Sequence, residues 1–211
     1  MHAIQTSSDT GKGRPFVIIH ERGAYSSFSA RIAQVLAERT RAILLESPRV
    51  SDSNWRELTK ILHAKLKELS LRQASFVGFG AAGALVQNVC LEDLKIVRTV
   101  AFVDAASRAH PSPLTRFVER MERSLPLGLP LRQRSRGFDA KPYLQRIRCP
   151  ALVVTTQESS AYLRSEAELL ESKLPTSWRL DLSSSDEVTE LANFILEFQE
   201  VPARCPQKNL G

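Results

Sequence analysis

The residues best placed to do chemistry are Gly78, Gly80 and Gly83, in the run Val77-Gly78-Phe79-Gly80-Ala81-Ala82-Gly83. Read literally this is G-x-G-x-x-G, whose glycines let a backbone approach a pyrophosphate at a helix N-terminus. Asp104 follows the last glycine by 21 residues, the distance at which a carboxylate reaches the ribose of a bound dinucleotide. In the same register the run is also the strand-to-helix turn G-x-S-x-G, with Gly80 where a serine nucleophile would stand. Such a turn keeps backbone amides that can hold a carboxylate or phosphate, but it has no hydroxyl to activate. It also has no obvious base. The histidines are His2, His20, His63 and His110, none in the C-terminal half, and a serine nucleophile needs an imidazole within hydrogen-bond reach. His20 has Ser26 and Ser27 nearby in sequence. A rebuilt dyad is conceivable there, although capping a helix is the ordinary role of such serines. Arg22 lies in the same segment and adds a cation.

These residues must be positioned by a regular frame, and the hydropathy pattern supplies one. Short apolar runs at 15–20, 42–47, 74–79, 99–104 and 151–156 read as buried parallel strands. The run 178–182 alternates and reads as an edge strand. Trp55, Leu58, Ile61, Leu62, Leu66 and Leu69 recur at helical spacing, as do Val188, Leu191, Phe194, Ile195 and Phe198. The expectation is an α/β fold: an open, mostly parallel sheet of about six strands, 74–79 central, with helices on both faces. Residues 1–14 read as a flexible polar leader, 15–200 as a single domain and 201–211 as a tail. The dinucleotide reading conflicts with this order, because two strand–helix units precede the glycines that normally follow the first strand.

The stretch 108–149 interrupts the alternation with Pro111, Pro113, Pro126 and Pro130 and reads as a lid-like insert. From Pro111 to Pro150 there are nine basic and three acidic residues, an excess equal to the whole formal net charge of +6. Such a cluster suits an acidic ligand or an acidic protein partner. Nucleic-acid binding is disfavoured because few aromatic side chains, only Phe117, Phe138 and Tyr143, stand among the arginines for base stacking. No apolar run is long enough to span a membrane, and the first residues lack a signal-peptide apolar core. Cys90, Cys149 and Cys205 are odd in number without C-x-x-C spacing, which suggests free thiols and a cytoplasmic setting. Cys90 reads as an inert core thiol. No cofactor and no metal are expected.

Beyond these separate signals, the chain from about 15 to 198 resembles the α/β-hydrolase fold superfamily. "PFVIIHERGAYSSFSARIAQVLAERTRAILLESP" is similar to that family's strand ending in histidine and glycine, its loop and its first helix. "LRQASFVGFGAAGALVQNVCLEDLKIVRTVAFVDAAS" resembles the nucleophile elbow with its helix and next strand. "YLQRIRCPALVVTTQESS" is similar to the segment that carries the catalytic acid, and "ELANFILEF" to the closing helix. The resemblance implies a nucleophile position at Gly80, an acid position near Ser159 with Glu158 adjacent, and a histidine position near Ser184 and Ser185. None holds the triad residue. It further implies oxyanion amides at Arg22 and Ala81, a structural role for His20, and Asp104 as a conceivable displaced acid. The family's usual N-terminal antiparallel strands are not visible in the sequence. The expected protein is therefore a non-catalytic member of the fold. It would use His20, Arg22, Gly80, Ala81 and Ser159 to bind a small, anionic ligand, or it would present a surface to a partner. A hydrolase or lyase using displaced residues and a dinucleotide-binding protein remain the alternatives.

Overall fold

The computed structural model describes residues 3–49, 55–107, 139–183 and 186–200, the side chain of Trp55 excepted. The predicted lid at 108–149 falls largely outside the described residues, as does the tail at 201–211. Pro15–Glu21 (β2), Arg41–Ser47 (β3), Ala74–Phe79 (β4), Val97–Val103 (β5), Ala151–Thr155 (β6) and Ser177–Asp181 (β7) form the parallel strands expected. β4 and β6 are buried at every position, and β2 and β5 nearly so, which is why each reads as an uninterrupted apolar run.

The leader departs from expectation. Gln5–Thr10 forms β1, which pairs antiparallel with β3 and makes seven strands in the order β1-β3-β2-β4-β5-β6-β7. Its side chains are almost all exposed, so it carries no hydrophobic period. It is held by its ladder to β3 and by a two-pronged ion pair, Arg41 Nε and Nη2 donating to the Asp9 carboxylate at 2.9 and 2.7 Å. The same bonds hold the Asp9 carboxyl below its usual range.

Helices cover both faces. Ser26–Ala37 (α1) and Glu187–Phe198 (α5) pack on one side, through Ile32, Leu36, Leu191, Ile195 and Phe198. Trp55–Glu68 (α2), Ala82–Glu92 (α3) and Ala161–Lys173 (α4) pack on the other with a 3-10 turn at Lys141–Arg146. One member of the expected apolar stripe on α5 leaves it: Phe194 is 43% exposed, at the margin of the stripe defined by Val188, Leu191, Ala192 and Ile195. No helix among the described residues is long and apolar enough to cross a membrane.

β4 occupies the middle of the sheet and runs directly into α3. The glycines there do different jobs. Gly80 has φ 53°, a left-handed conformation at the turn itself. At Gly83 a side-chain carbon would stand 2.4 Å from Ala105 Cβ, and at Gly78 one would stand 2.7 Å from Gly83 Cα. Those two glycines bring α3 close against β4 and β5, so close packing accounts for their place in the fingerprint.

Candidate functional site

Four strand ends meet above the centre of the sheet: those of β2, β4, β5 and β6. Beyond β2 the chain turns through Glu21, Arg22 and Gly23 to Tyr25, the cap of α1, held at φ 58°. His20 organises this turn. It is buried, and its Nδ1 donates to the carbonyls of Glu21 at 3.2 Å and Ala24 at 3.3 Å. The structural role expected of it is therefore the one its geometry provides.

The turn sets Tyr25 over Gly80. A carbon added to Gly80 would lie 2.9 Å from Tyr25 Cε2 and 3.6 Å from Cδ2. The phenol ring thus fills the volume into which a serine at position 80 would project. The ring packs beside Phe79 at 5.7 Å between centroids, and Phe28 meets Phe79 edge-on at 5.8 Å.

Beneath the ring lies Asp104, buried at the end of β5 with φ 50°. Aspartate tolerates that left-handed conformation better than most residues. Oδ2 accepts the Tyr25 hydroxyl at 3.2 Å and Thr156 Oγ1 at 2.7 Å. Oδ1 accepts the Thr156 amide at 3.0 Å and a short bond from Ser159 Oγ. A carboxylate has about four acceptor sites, and all are used. Burial, then the charge of Asp104 and its hydrogen bond, with Glu158 last, raise the Tyr25 phenol well above its ordinary value. The ring over Gly80 is a neutral hydrogen-bond donor across the physiological range.

Of the five site residues read from the sequence, Gly80, Ala81 and Ser159 lie at this junction. Ser159, read from the sequence as lying near the acid position, serves here as a donor to a carboxylate supplied by the neighbouring strand. Ala81 caps α3 in helical geometry, between Gly80, whose amide donates to Val103 O at 2.8 Å, and Gly83, whose amide donates to Gly80 O at 3.1 Å. Arg22 turns away. Its amide donates to Ser47 O at 2.9 Å, and its guanidinium bonds Glu46 and Gln5 over β3 and β1. The pair of oxyanion amides expected from Arg22 and Ala81 is therefore not assembled, and the cation expected from Arg22 is already paired. Ser26 and Ser27 are the first exposed residues of α1 rather than its cap, and His20 does not bond either of them. His63 lies on α2, its Nε2 3.4 Å from Glu92. The imidazoles among the described residues are those of His20, bonded to the turn after β2, and His63, beside Glu92. Ser184 and Ser185, the expected histidine position, lie outside the described residues.

Sequence reasoning missed Tyr25 and Thr156, and it assigned Asp104 to a ribose or to a triad. In this structure neither role is assembled, since the carboxylate's four bonds all come from Tyr25, Thr156 and Ser159. Cys90 is the core thiol expected: fully buried on α3, its thiol pushed up by a hydrogen bond with Cys149 and by burial.

No protein-family model matches the sequence, and a search of curated protein sequences finds no match. Solved structures do match in shape. The enol-lactonase from Burkholderia xenovorans superposes with a TM-score of 0.69 at 14% identity, over 92% of this chain and 95% of that one. A thermophilic esterase from Thermogutta terrifontis gives 0.72 at 15% identity, over 92% and 93%. Bromoperoxidase from Bacillus anthracis gives 0.68 at 16%, over 94% and 99%. At these identities the likeness speaks for the fold: the chain has the architecture of the α/β-hydrolases.

Proposed function

We propose that this α/β-hydrolase-fold chain is a non-hydrolytic protein that binds a small molecule at the Gly80 junction. One observation carries the reading: the nucleophile position is a glycine at φ 53°, and the space a serine would need is held by the Tyr25 ring 2.9 Å away. A site missing its nucleophile can be a simple deletion, but a site whose nucleophile volume is filled by a side chain fixed to a buried carboxylate is differently built. The amide of Arg22 bonded to Ser47 supports the same reading, since oxyanion stabilisation needs donors free to face the developing charge. The expectation of an anionic ligand loses support, because the junction presents a carboxylate while the Arg22 guanidinium is engaged elsewhere. A neutral ligand fits better. An acidic protein partner for the basic segment remains a separate proposal resting on charge alone.

The test uses the wild-type chain with p-nitrophenyl esters and with enol-lactones, drawn from the chemistry named for the structural relatives. No turnover above background is expected. Turnover abolished by His20→Ala or Ser26→Ala would instead establish a hydrolase built on displaced residues. NAD and NADP at millimolar concentration are expected to leave the melting temperature unchanged. A ligand present at one hundred times its dissociation constant stabilises by about 2.7 kcal/mol, which a thermal scan resolves.

A further inference from the structure

The nature of the small molecule can be taken further, on the reading that the Gly80 junction is a binding site. We propose that it is a phenol site, that Tyr25 is its tethered occupant, and that the ligand is a neutral aromatic hydroxyl compound that takes the place of that ring. The complementarity is already built around Tyr25. The hydroxyl donates to Asp104 Oδ2 at 3.2 Å, and that carboxylate is held in place by Thr156 and Ser159. The ring lies beside Phe79 at 5.7 Å with an interplanar angle of 34°. Gly80, lacking a side chain, admits the ring edge to 2.9 Å from where a carbon would be. A carboxylate acceptor, an aromatic wall and a glycine floor together describe a pocket for a phenol.

The occupant is held by a short segment that can release it. Tyr25 is only half-buried, has left-handed φ and makes no side-chain bond to cap its helix. Two residues earlier Gly23, at φ 80°, has nothing within 4 Å of its side-chain direction. Rotation of the Tyr25 side chain about its own χ angles removes the ring while the turn keeps its backbone bonds, Ala24 N–H to Glu21 O at 3.0 Å and His20 Nδ1 to Ala24 O at 3.3 Å. Its departure leaves Oδ2 of Asp104 short of one donor and Phe79 uncovered. A free phenol restores both. An aliphatic alcohol leaves the aromatic wall bare, an unsubstituted arene leaves the carboxylate one donor short, and an anionic arene meets the charge of Asp104. In the wild type the ligand competes with this tethered occupant, so its apparent affinity is its intrinsic affinity multiplied by the fraction of time the ring is out of place.

The experiment uses the full chain as wild type, Tyr25→Phe and Tyr25→Gly, with 4-methylphenol, toluene and 4-methylbenzoate as probes in calorimetric titrations and thermal scans. Tyr25→Phe keeps a ring in the pocket but loses its bond to a charged acceptor. It is expected to bind 4-methylphenol about tenfold more tightly than the wild type. Tyr25→Gly is expected to bind 4-methylphenol saturably, toluene about tenfold more weakly and 4-methylbenzoate not at all. Adding Asp104→Asn to Tyr25→Phe is expected to abolish the gain. The proposal is overturned if Tyr25→Phe shows no gain over the wild type, a result that stands even should Tyr25→Gly not fold. Equal affinity of Tyr25→Gly for toluene and 4-methylphenol overturns it as well. Ester turnover by the wild type would refute the non-hydrolytic reading and leave the phenol measurement intact. Silence toward esters without any gain would do the reverse.

Discussion

At the scale of single residues, the junction sets the Tyr25 ring beside a glycine that has no side chain. Restoring a serine at position 80 would meet two obstacles: a left-handed φ that costs a side chain about 1–3 kcal/mol, and the Tyr25 ring in its path. Gly80→Ser is therefore expected to be less stable by at least about 1–3 kcal/mol in urea unfolding. It should also stay nearly silent toward p-nitrophenyl esters, since the serine would have no imidazole partner. Strong turnover in this variant would reveal a base outside the described residues. Tyr25 itself makes a pH prediction. Its folded-state value is raised by burial and by Asp104, so the stability it contributes is fully present below the unfolded phenol value of about 10 and is lost as pH rises beyond it. Unfolding free energy should fall above about pH 10 with a steeper slope in the wild type than in Tyr25→Phe. Matching slopes would mean that the phenol is not held as described.

Among the elements, β1 shows how a strand can exist without a hydrophobic pattern. Its side chains face water, and its stability comes from the ladder to β3 and the Arg41–Asp9 pair. Deleting residues 1–10 strips that ladder from β3, whose backbone would then form an open edge of the kind that promotes aggregation. The truncated chain is expected to melt at a lower temperature and to self-associate, as measured by thermal scanning and light scattering. A neutral truncation would show that the first ten residues are the flexible leader suggested by their composition. The glycines of α3 and β4 belong to this scale as well, because packing rather than ligand contact requires them. Gly83 faces Ala105 at a separation no side chain could share.

For the molecule as a whole, charge is the property that extends beyond the junction. The formal net charge is +6, matched by the excess between Pro111 and Pro150. An acidic partner recruited by that segment would bind less tightly as salt rises, because exposed charges are screened beyond about 8–10 Å. Reversing Arg132, Arg134 and Arg136 to glutamate is expected to weaken such binding while leaving the melting temperature nearly unchanged. Binding indifferent to both salt and reversal would assign the segment to plain solvated surface. The fold itself places the phenol-like site and this segment on one chain without requiring that they act together.

The sequence by itself determined what is local or compositional. Uninterrupted apolar runs specified the parallel strands, because burial on both faces leaves no room for alternation. The G-x-G turn specified the left-handed residue between β4 and α3, and the absence of histidine from the C-terminal half was visible by inspection. β1 was not legible, since a polar edge strand has no period and is defined only by its partner. Nor was the junction. Tyr25 and Asp104 stand 79 residues apart, and no spacing rule brings a loop after β2 above the end of β5. The Arg22 amide could be read as a free donor until β3 supplied the Ser47 carbonyl that takes it. Only the tertiary structure decides which groups at the ends of non-consecutive strands come within hydrogen-bond reach, because strand order in a sheet is a long-range property. That order turned Asp104 from a candidate for ribose or histidine into the anchor of the tyrosine that stands over Gly80.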